Sequence, residues 1–94
     1  MHELVFTKPF ARAYAEYTKR SAARRKCVDS ALVRLQANPR DPRLKTHRLK
    51  GSKEGQMSCS CGYDCRVIFF LETEAESGAR RIVLLEVGSH DDVY

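Results

Sequence analysis

The stretch CRVIFFLE, residues 65–72, constrains the fold of this chain more than any other. From Val67 to Leu71 it places five apolar residues in succession, with no polar alternation. β-Branched and aromatic residues suit a pleated surface, and an unbroken apolar run suits a strand buried on both faces. Such a strand belongs at the centre of a sheet. A second run of the same kind, RRIVLLEVG at 80–88, follows across the acidic loop tip TEAESGA and supplies its neighbour. Upstream, QMSCSC at 56–61 alternates and GYD at 62–64 reads as a turn, which makes a hairpin with residues 65–72. LKTHRL at 44–49 alternates as well, and a Gly-Ser-Lys-Glu-Gly loop follows it. SHDDVY is left as a short tail.

The first half has a different period. After a short strand at 2–7, HELVFT, the residues Phe10, Ala13, Tyr14 and Tyr17 fall at i, i+3, i+4, i+7. Pro9 suits the first turn of that helix. Val28, Ala31, Leu32 and Leu35 repeat the spacing, with Ser21 as N-cap. The second helix is expected to run to about Gln36, because the prolines of NPRDP disfavour helix in the residues before them. The expected fold is α+β in one domain, residues 1–94. An N-terminal strand and a helical hairpin pack on one face of a mostly antiparallel sheet, in the order β-α-α-β-β-β-β.

Charge is unevenly placed. Residues 1–55 carry a formal +9 and residues 56–94 carry −4, for a total of +5. The outer faces of the two helices hold Arg12, Lys19, Arg20, Arg24, Arg25, Lys26 and Arg34. A basic half of this kind fits an anionic partner such as nucleic acid, or equally a pair of well-solvated helices. The longest apolar run is far too short to cross a bilayer, and no signal peptide is read. A cytosolic chain with reduced thiols is therefore expected. CSCGYDC has the spacings C-x-C and C-x3-C, not the paired C-x2-C of zinc sites. Cys59 and Cys61 are expected on one strand face, with Cys65 across a turn. The three read as small buried hydrophobes or, less readily with these spacings, as a zinc site, and Cys27 as a helix-face residue.

Few residues could carry chemistry. His47 and His90 each lie among charges at a strand end. If those ends meet, His47, His90 and Asp64 form an acid–base cluster suited to proton transfer near neutral pH. If they do not, both are ordinary half-exposed histidines. Arg66 opens an apolar strand, where an unpaired charge is costly to bury. It must reach out of the sheet or find a partner, either a phosphate or a salt bridge to Glu72, Glu86 or an aspartate of the tail. Lys45, Arg48 and Lys50 fit a phosphate-binding floor, or an exposed edge strand that lysine protects from unwanted pairing. Tyr94 could cover the core or stack on a base.

Taken together, NPRDPRLKTHRLKG, YDCRVIFFLE and LLEVGSHDDVY resemble bacterial toxins of the RelE/ParE superfamily, in matching order over nearly the whole chain. The resemblance implies a compact toxin neutralised by a cognate antitoxin, in a hetero-oligomer that reaches operator DNA through the antitoxin. RelE-type members enter the ribosome and cut mRNA without a metal or other cofactor. The 2′-hydroxyl attacks the adjacent phosphate and leaves a 2′,3′-cyclic phosphate. ParE-type members poison DNA gyrase instead. The YafQ branch implies catalytic roles for His47, Asp64 and His90. It also implies an RNA-orienting role for Tyr94. RelE proper implies a phosphate-stabilising role for Arg66. Lys45, Arg48, Lys50 and Arg81 are the expected RNA-binding cations. The pattern is also thinner than its models. Met57 and Cys59 stand where strand lysines are expected, Ser60 stands near a histidine position of YafQ, and the chain has no tryptophan. A gyrase inhibitor and a degenerate toxin that only binds its antitoxin are the other readings.

Overall fold

A computed structural model describes residues 2–49 and 55–93. Strand β1 (Glu3–Phe6) leads into helices α1 (Lys8–Thr18) and α2 (Ala22–Ala37). A 3-10 turn (Pro42–Leu44) then precedes strands β2 (His47–Arg48), β3 (Gln56–Gly62), β4 (Cys65–Thr73) and β5 (Arg80–Gly88), and the helix α3 (His90–Val93). The five strands form one sheet in the order β1-β5-β4-β3-β2. β1 runs parallel to β5, and every other pairing is antiparallel. The two apolar runs of the sequence are β4 and β5, at the centre as expected.

Thr7 ends β1 and starts α1 with one side chain. Its hydroxyl oxygen accepts from the Phe10 N–H at 3.2 Å and its O–H donates to the Leu84 carbonyl at 2.7 Å. Ser21 caps α2 in the same way, accepting from the Arg24 N–H at 3.1 Å. The 3.6-residue spacing of α2 becomes its buried face, Val28, Ala31, Leu32 and Leu35. These residues and Phe10 pack on Cys59, Cys61, Val67, Phe69, Ile82, Leu84 and Val87 of the sheet. Each large side chain buried there contributes roughly 1.5–3 kcal/mol.

Alternation puts Arg66, Ile68 and Phe70 on the opposite face of β4, away from the helices. Ser58 and Ser60 share that face on β3, whereas Met57 and Cys59 face the core. The positions at which strand lysines were looked for therefore point into apolar packing. A lysine there would bury an unpaired ammonium.

The chain departs from expectation at residues 44–49. Only His47 and Arg48 pair, with Ser58 and Met57. Asp41 explains the shortening. Its carboxylate accepts from the Arg43 N–H at 2.9 Å and clamps the Arg43 guanidinium at 3.1 and 2.8 Å. The turn that results buries Leu44 completely and leaves Lys45 left-handed, at φ 51°. That conformation costs a non-glycine residue about 1–2 kcal/mol. The Thr46 hydroxyl then ties the return to Pro39, donating to its carbonyl at 2.7 Å.

Two outcomes test these contacts. Thr7→Val keeps the shape and loses both hydrogen bonds, so urea unfolding should show a loss of about 1–2 kcal/mol with an unchanged m-value. The Arg43 side chain, and then its backbone N–H, hold the Asp41 carboxyl down at about 2, against an ordinary 3.8. With the folded value depressed, the clamp is fully present above pH 3.8 and is lost as pH falls through about 2. A carboxylate NMR titration should find that midpoint, and Arg43→Gln should return it toward 3.8. An Asp41 midpoint near 3.8 in the unaltered chain would contradict the clamp.

Candidate nucleic-acid interface

β2 and the following Leu49 cover β3 from Gln56 to Ser58, so beyond Cys59 the outer edge of β3 has no partner strand among the described residues. A cleft of about 570 Å³ lies along that edge. α2 supplies Lys26, Cys27, Ser30 and Arg34 to its wall, the 3-10 turn supplies Arg43 and Lys45, and the β3–β4 hairpin supplies Ser60, Cys61, Gly62, Tyr63 and Arg66. Five of these residues are cations, and no carboxylate among the described residues lines the cleft. A concave surface of one sign focuses its field and attracts a polyanion. Tyr63 stands fully exposed at the rim, free to stack on a base.

Arg66 makes none of the expected salt bridges to Glu72 or Glu86. Its Nη1 donates to the carbonyls of Cys65 at 2.8 Å and Gly62 at 3.2 Å, and to the Ser60 hydroxyl at 3.5 Å. Backbone carbonyls orient the guanidinium without neutralising it, so its charge remains available to an anion.

The same hairpin end meets the C-terminal helix. Asp64 Oδ1 accepts from the His90 backbone N–H at 3.0 Å, across 26 residues of sequence. The Tyr17 hydroxyl reaches the Asp64 carbonyl at 3.5 Å. The His90 ring is 3.8 Å from Asp91 through Nδ1, and its side chain is 56% exposed, open to a substrate. Asp64 and His90 are thus neighbours, beside the turn that carries Tyr63 and Arg66.

His47 is placed elsewhere. It sits exposed on β2, opposite Ser58, with Nδ1 3.1 Å from the Lys45 carbonyl. Two strands separate β2 from β5, which puts His47 about 14 Å across the sheet from the strand leading to His90. Neither histidine lines the cleft. Of the expected cations, Lys45 lines it, and Arg48 lies exposed on β2 opposite Met57. Lys50 and Tyr94 lie outside the described residues.

Arg81 is a correction. Its Nε donates to Glu3 at 2.9 Å and its Nη2 to Glu74, so two carboxylates, Glu74 foremost, raise its pKa and occupy its fork. It opens β5, at the far end of that strand from His90. It serves as a structural tie between β1, β5 and the acidic loop, with its fork taken up by carboxylates.

The cysteines are a second correction. Cys61 and Cys65 form a disulfide across the hairpin turn, with Cα atoms 4.9 Å apart, while Cys27 and Cys59 are free. A bulge after Ser60 sets both Cys61 and Gly62 against Cys65, which brings the two thiol-bearing positions face to face. Gly62 takes φ 150°, a conformation open to glycine and rare for other residues. Among the described residues no group of three histidines, cysteines or carboxylates could hold a metal.

Lys26, Arg34, Arg43 and Tyr63 were not singled out for this site from the sequence. Lys26 and Arg34 were legible only as helix-face cations. Nothing local to Arg43 or Tyr63 marks them, because their place depends on the turn at Asp41 and on the hairpin.

No family model matches the sequence, and a search of curated proteins finds no match. Solved structures do match. A copper-bound mutant toxin from Helicobacter pylori superposes with a TM-score of 0.77 at 20% identity, covering 100% of both chains. A YoeB/ParE toxin from Agrobacterium tumefaciens gives 0.76 at 17% identity, over 94% of this chain and 98% of that one. The E. coli DinJ-YafQ toxin–antitoxin complex gives 0.73 at 17% identity, over 99% of this chain and 97% of that one. The chain has the RelE/YafQ-like fold of these toxins, from end to end.

Proposed function

We propose that this chain is the toxin of a type II toxin–antitoxin system and acts as a ribosome-dependent endoribonuclease on mRNA. The observation that carries the reading is the hairpin end. There an un-neutralised Arg66 in a cationic cleft lies beside the Asp64–His90 contact, in a chain whose whole length has the YafQ-like fold. A partner antitoxin fits the same reading, since YafQ is solved in complex with DinJ.

In this mechanism the RNA backbone enters the cleft by phosphate contacts to Lys45, Arg66, Lys26 and Arg34. The His90 imidazole accepts the proton of the 2′-hydroxyl, and Asp64 fixes the His90 backbone in place. The 2′-oxygen bonds to phosphorus as the bond to the 5′-oxygen breaks. The imidazolium returns its proton to that leaving oxygen. Arg66 offsets the charge that builds on the phosphoryl oxygens. His47 lies beside Lys45 and three strand spacings from the strand leading to His90, so the two histidines do not act as a pair. His47 joins Arg48 along the path of the flanking RNA.

A second reading has its own observation. His47 and His90 do not form a pair, and neither lines the cleft, which favours a chain that binds its antitoxin and RNA without cutting.

Mapping of mRNA 5′ ends after induction in a bacterial host separates these readings. Translation-dependent cuts inside reading frames are expected. His90→Ala should reduce them by roughly 10²–10⁴-fold, and His47→Ala by much less. Cuts undiminished in His90→Ala would overturn the mechanism. Growth arrest without cuts would point to gyrase, and no arrest to the binding-only reading. Oligonucleotide affinity should fall steeply with salt, and Arg66→Gln should make the log–log slope shallower by about one.

A further inference from the structure

Three cysteines converge under the cationic cleft. The Cys61–Cys65 disulfide closes the hairpin turn on itself. Cys27, an exposed free thiol on α2, lines the same cleft as Cys61. Gly62 lies between Cys27 and Cys65. A Cβ placed on Gly62 would come within 3.9 Å of both Cβ and Sγ of Cys27, and within 3.7 Å of Cys65 Cβ. The missing side chain lets the helix thiol rest directly on the disulfide-closed turn. Cys59 is excluded from this group. It is fully buried, and burial pushes its thiol up to about 12.

We propose that Cys27, Cys61 and Cys65 form a thiol–disulfide exchange site in the floor of the cleft, and that its pairing sets how tightly the cleft holds single-stranded nucleic acid. In the exchange Cys27 gives up its proton and its thiolate attacks Cys61 Sγ. The Cys27–Cys61 bond forms, the Cys61–Cys65 bond breaks, and Cys65 leaves as a thiolate that takes up a proton. One disulfide replaces another, so no oxidant or reductant is consumed. Cys61 is the sulfur attacked because it faces the cleft that Cys27 also lines.

The two pairings hold the cleft differently. With Cys61 joined to Cys65, the turn presents the Gly62 and Cys65 carbonyls that seat the Arg66 guanidinium. With Cys61 joined to Cys27, α2 is tied to β3 across the floor, and the Cys65 end of the turn is released. Arg66 then loses its fixed direction toward the cleft. Linkage makes the effect mutual: an oligonucleotide that prefers the first pairing stabilises it by the same factor. The nucleic-acid half of this inference rests on the function proposed above, and the exchange half does not.

The test uses the full chain, purified without reductant, alkylated and mapped by peptide mass spectrometry. A Cys61–Cys65 link is expected, with Cys27 alkylated in the folded protein and Cys59 only after unfolding. Cys65→Ser treated with oxidised glutathione should form a Cys27–Cys61 link and release two equivalents of glutathione. Where that variant does not fold, the unaltered chain in a glutathione buffer should yield a minor Cys27–Cys61 fraction. Fluorescence anisotropy with a labelled, uncleavable 2′-O-methyl oligonucleotide should show the linked form of Cys65→Ser binding roughly tenfold more weakly than its reduced form, the loss expected for one displaced charge-assisted contact. The double variant Cys27→Ser/Cys65→Ser should show no such change on oxidation. A Cys61 that ends as a mixed disulfide with glutathione, never linked to Cys27, would overturn the exchange site. Equal affinities for the linked and reduced forms would overturn its control of the cleft. A link that forms while no version of the chain binds the oligonucleotide would instead overturn the proposed function.

Discussion

Leu44 has no exposed surface, and Arg43 and Lys45 stand on either side of it. That arrangement recurs around the whole cleft. Arg34 precedes the buried Leu35, Lys26 lies two residues before the buried Val28, and Arg66 sits between the buried Cys65 and Val67. Each cation is attached to the core by its nearest apolar neighbours. Five like charges drawn to one concavity repel one another, and no carboxylate among the described residues relieves them from its wall. The burial of Val28, Leu35, Leu44 and Val67 offsets that repulsion, since each contributes roughly 1.5–3 kcal/mol through contacts that charge does not enter. The cleft stays positive because the apolar core holds it open. Only Arg43 is discharged locally, and its partner Asp41 uses the same contact to build the turn that buries Leu44.

Much of this fold was legible in the sequence because hydrophobic period and chain punctuation agree. The unbroken runs of β4 and β5 announced central strands, and the 3.6-residue spacing of α2 became its buried face. Ser21 and Thr7 sit where helix caps belong. The miss at residues 44–49 has a physical source. LKTHRL alternates well enough for a strand, yet Asp41 and Pro42 set a tight turn just before it. The turn consumes Leu44 and Lys45 and the Thr46 hydroxyl is tied back to Pro39, so the strand that remains is His47–Arg48. Alternation reports which side chains can share a face. It does not report the backbone hydrogen bonds that a preceding carboxylate has already taken.

The hairpin end shows the same limit from another side. Cys61 and Cys65 were readable as neighbours across a turn, but a cytosolic chain was expected to keep them reduced. Their bonding follows from the bulge after Ser60, which opposes both Cys61 and Gly62 to Cys65. A bulge is a property of the paired strands, and SCG alone does not reveal it. Similarly, Arg66 was expected to reach out of the sheet or to find a phosphate or a carboxylate. Three neutral oxygens of its own hairpin satisfy its geometry instead, and its charge is left for use.

What the sequence could not order was the site itself, because its halves come from opposite ends of the sheet's edge-to-edge path. Lys45 and Arg66 meet α2 at the open edge of β3. Asp64 and His90 meet where β4 and β5 close against α3. The β3–β4 turn is common to both, since Tyr63 faces the cleft while its neighbour Asp64 accepts from His90. In the proposed mechanism a phosphate held by Arg66 is thereby brought to the side of the hairpin on which His90 is anchored. His47 remains on the far strand with Lys45 between it and the cleft. Charge and proton transfer in that mechanism are thus built on one two-residue step of backbone, from Asp64 to Arg66. In the proposed mechanism, substitutions of Lys26, Arg34 and Lys45 should weaken holding, substitutions at His90 should weaken cleavage, and changes in residues 61–66 should disturb both.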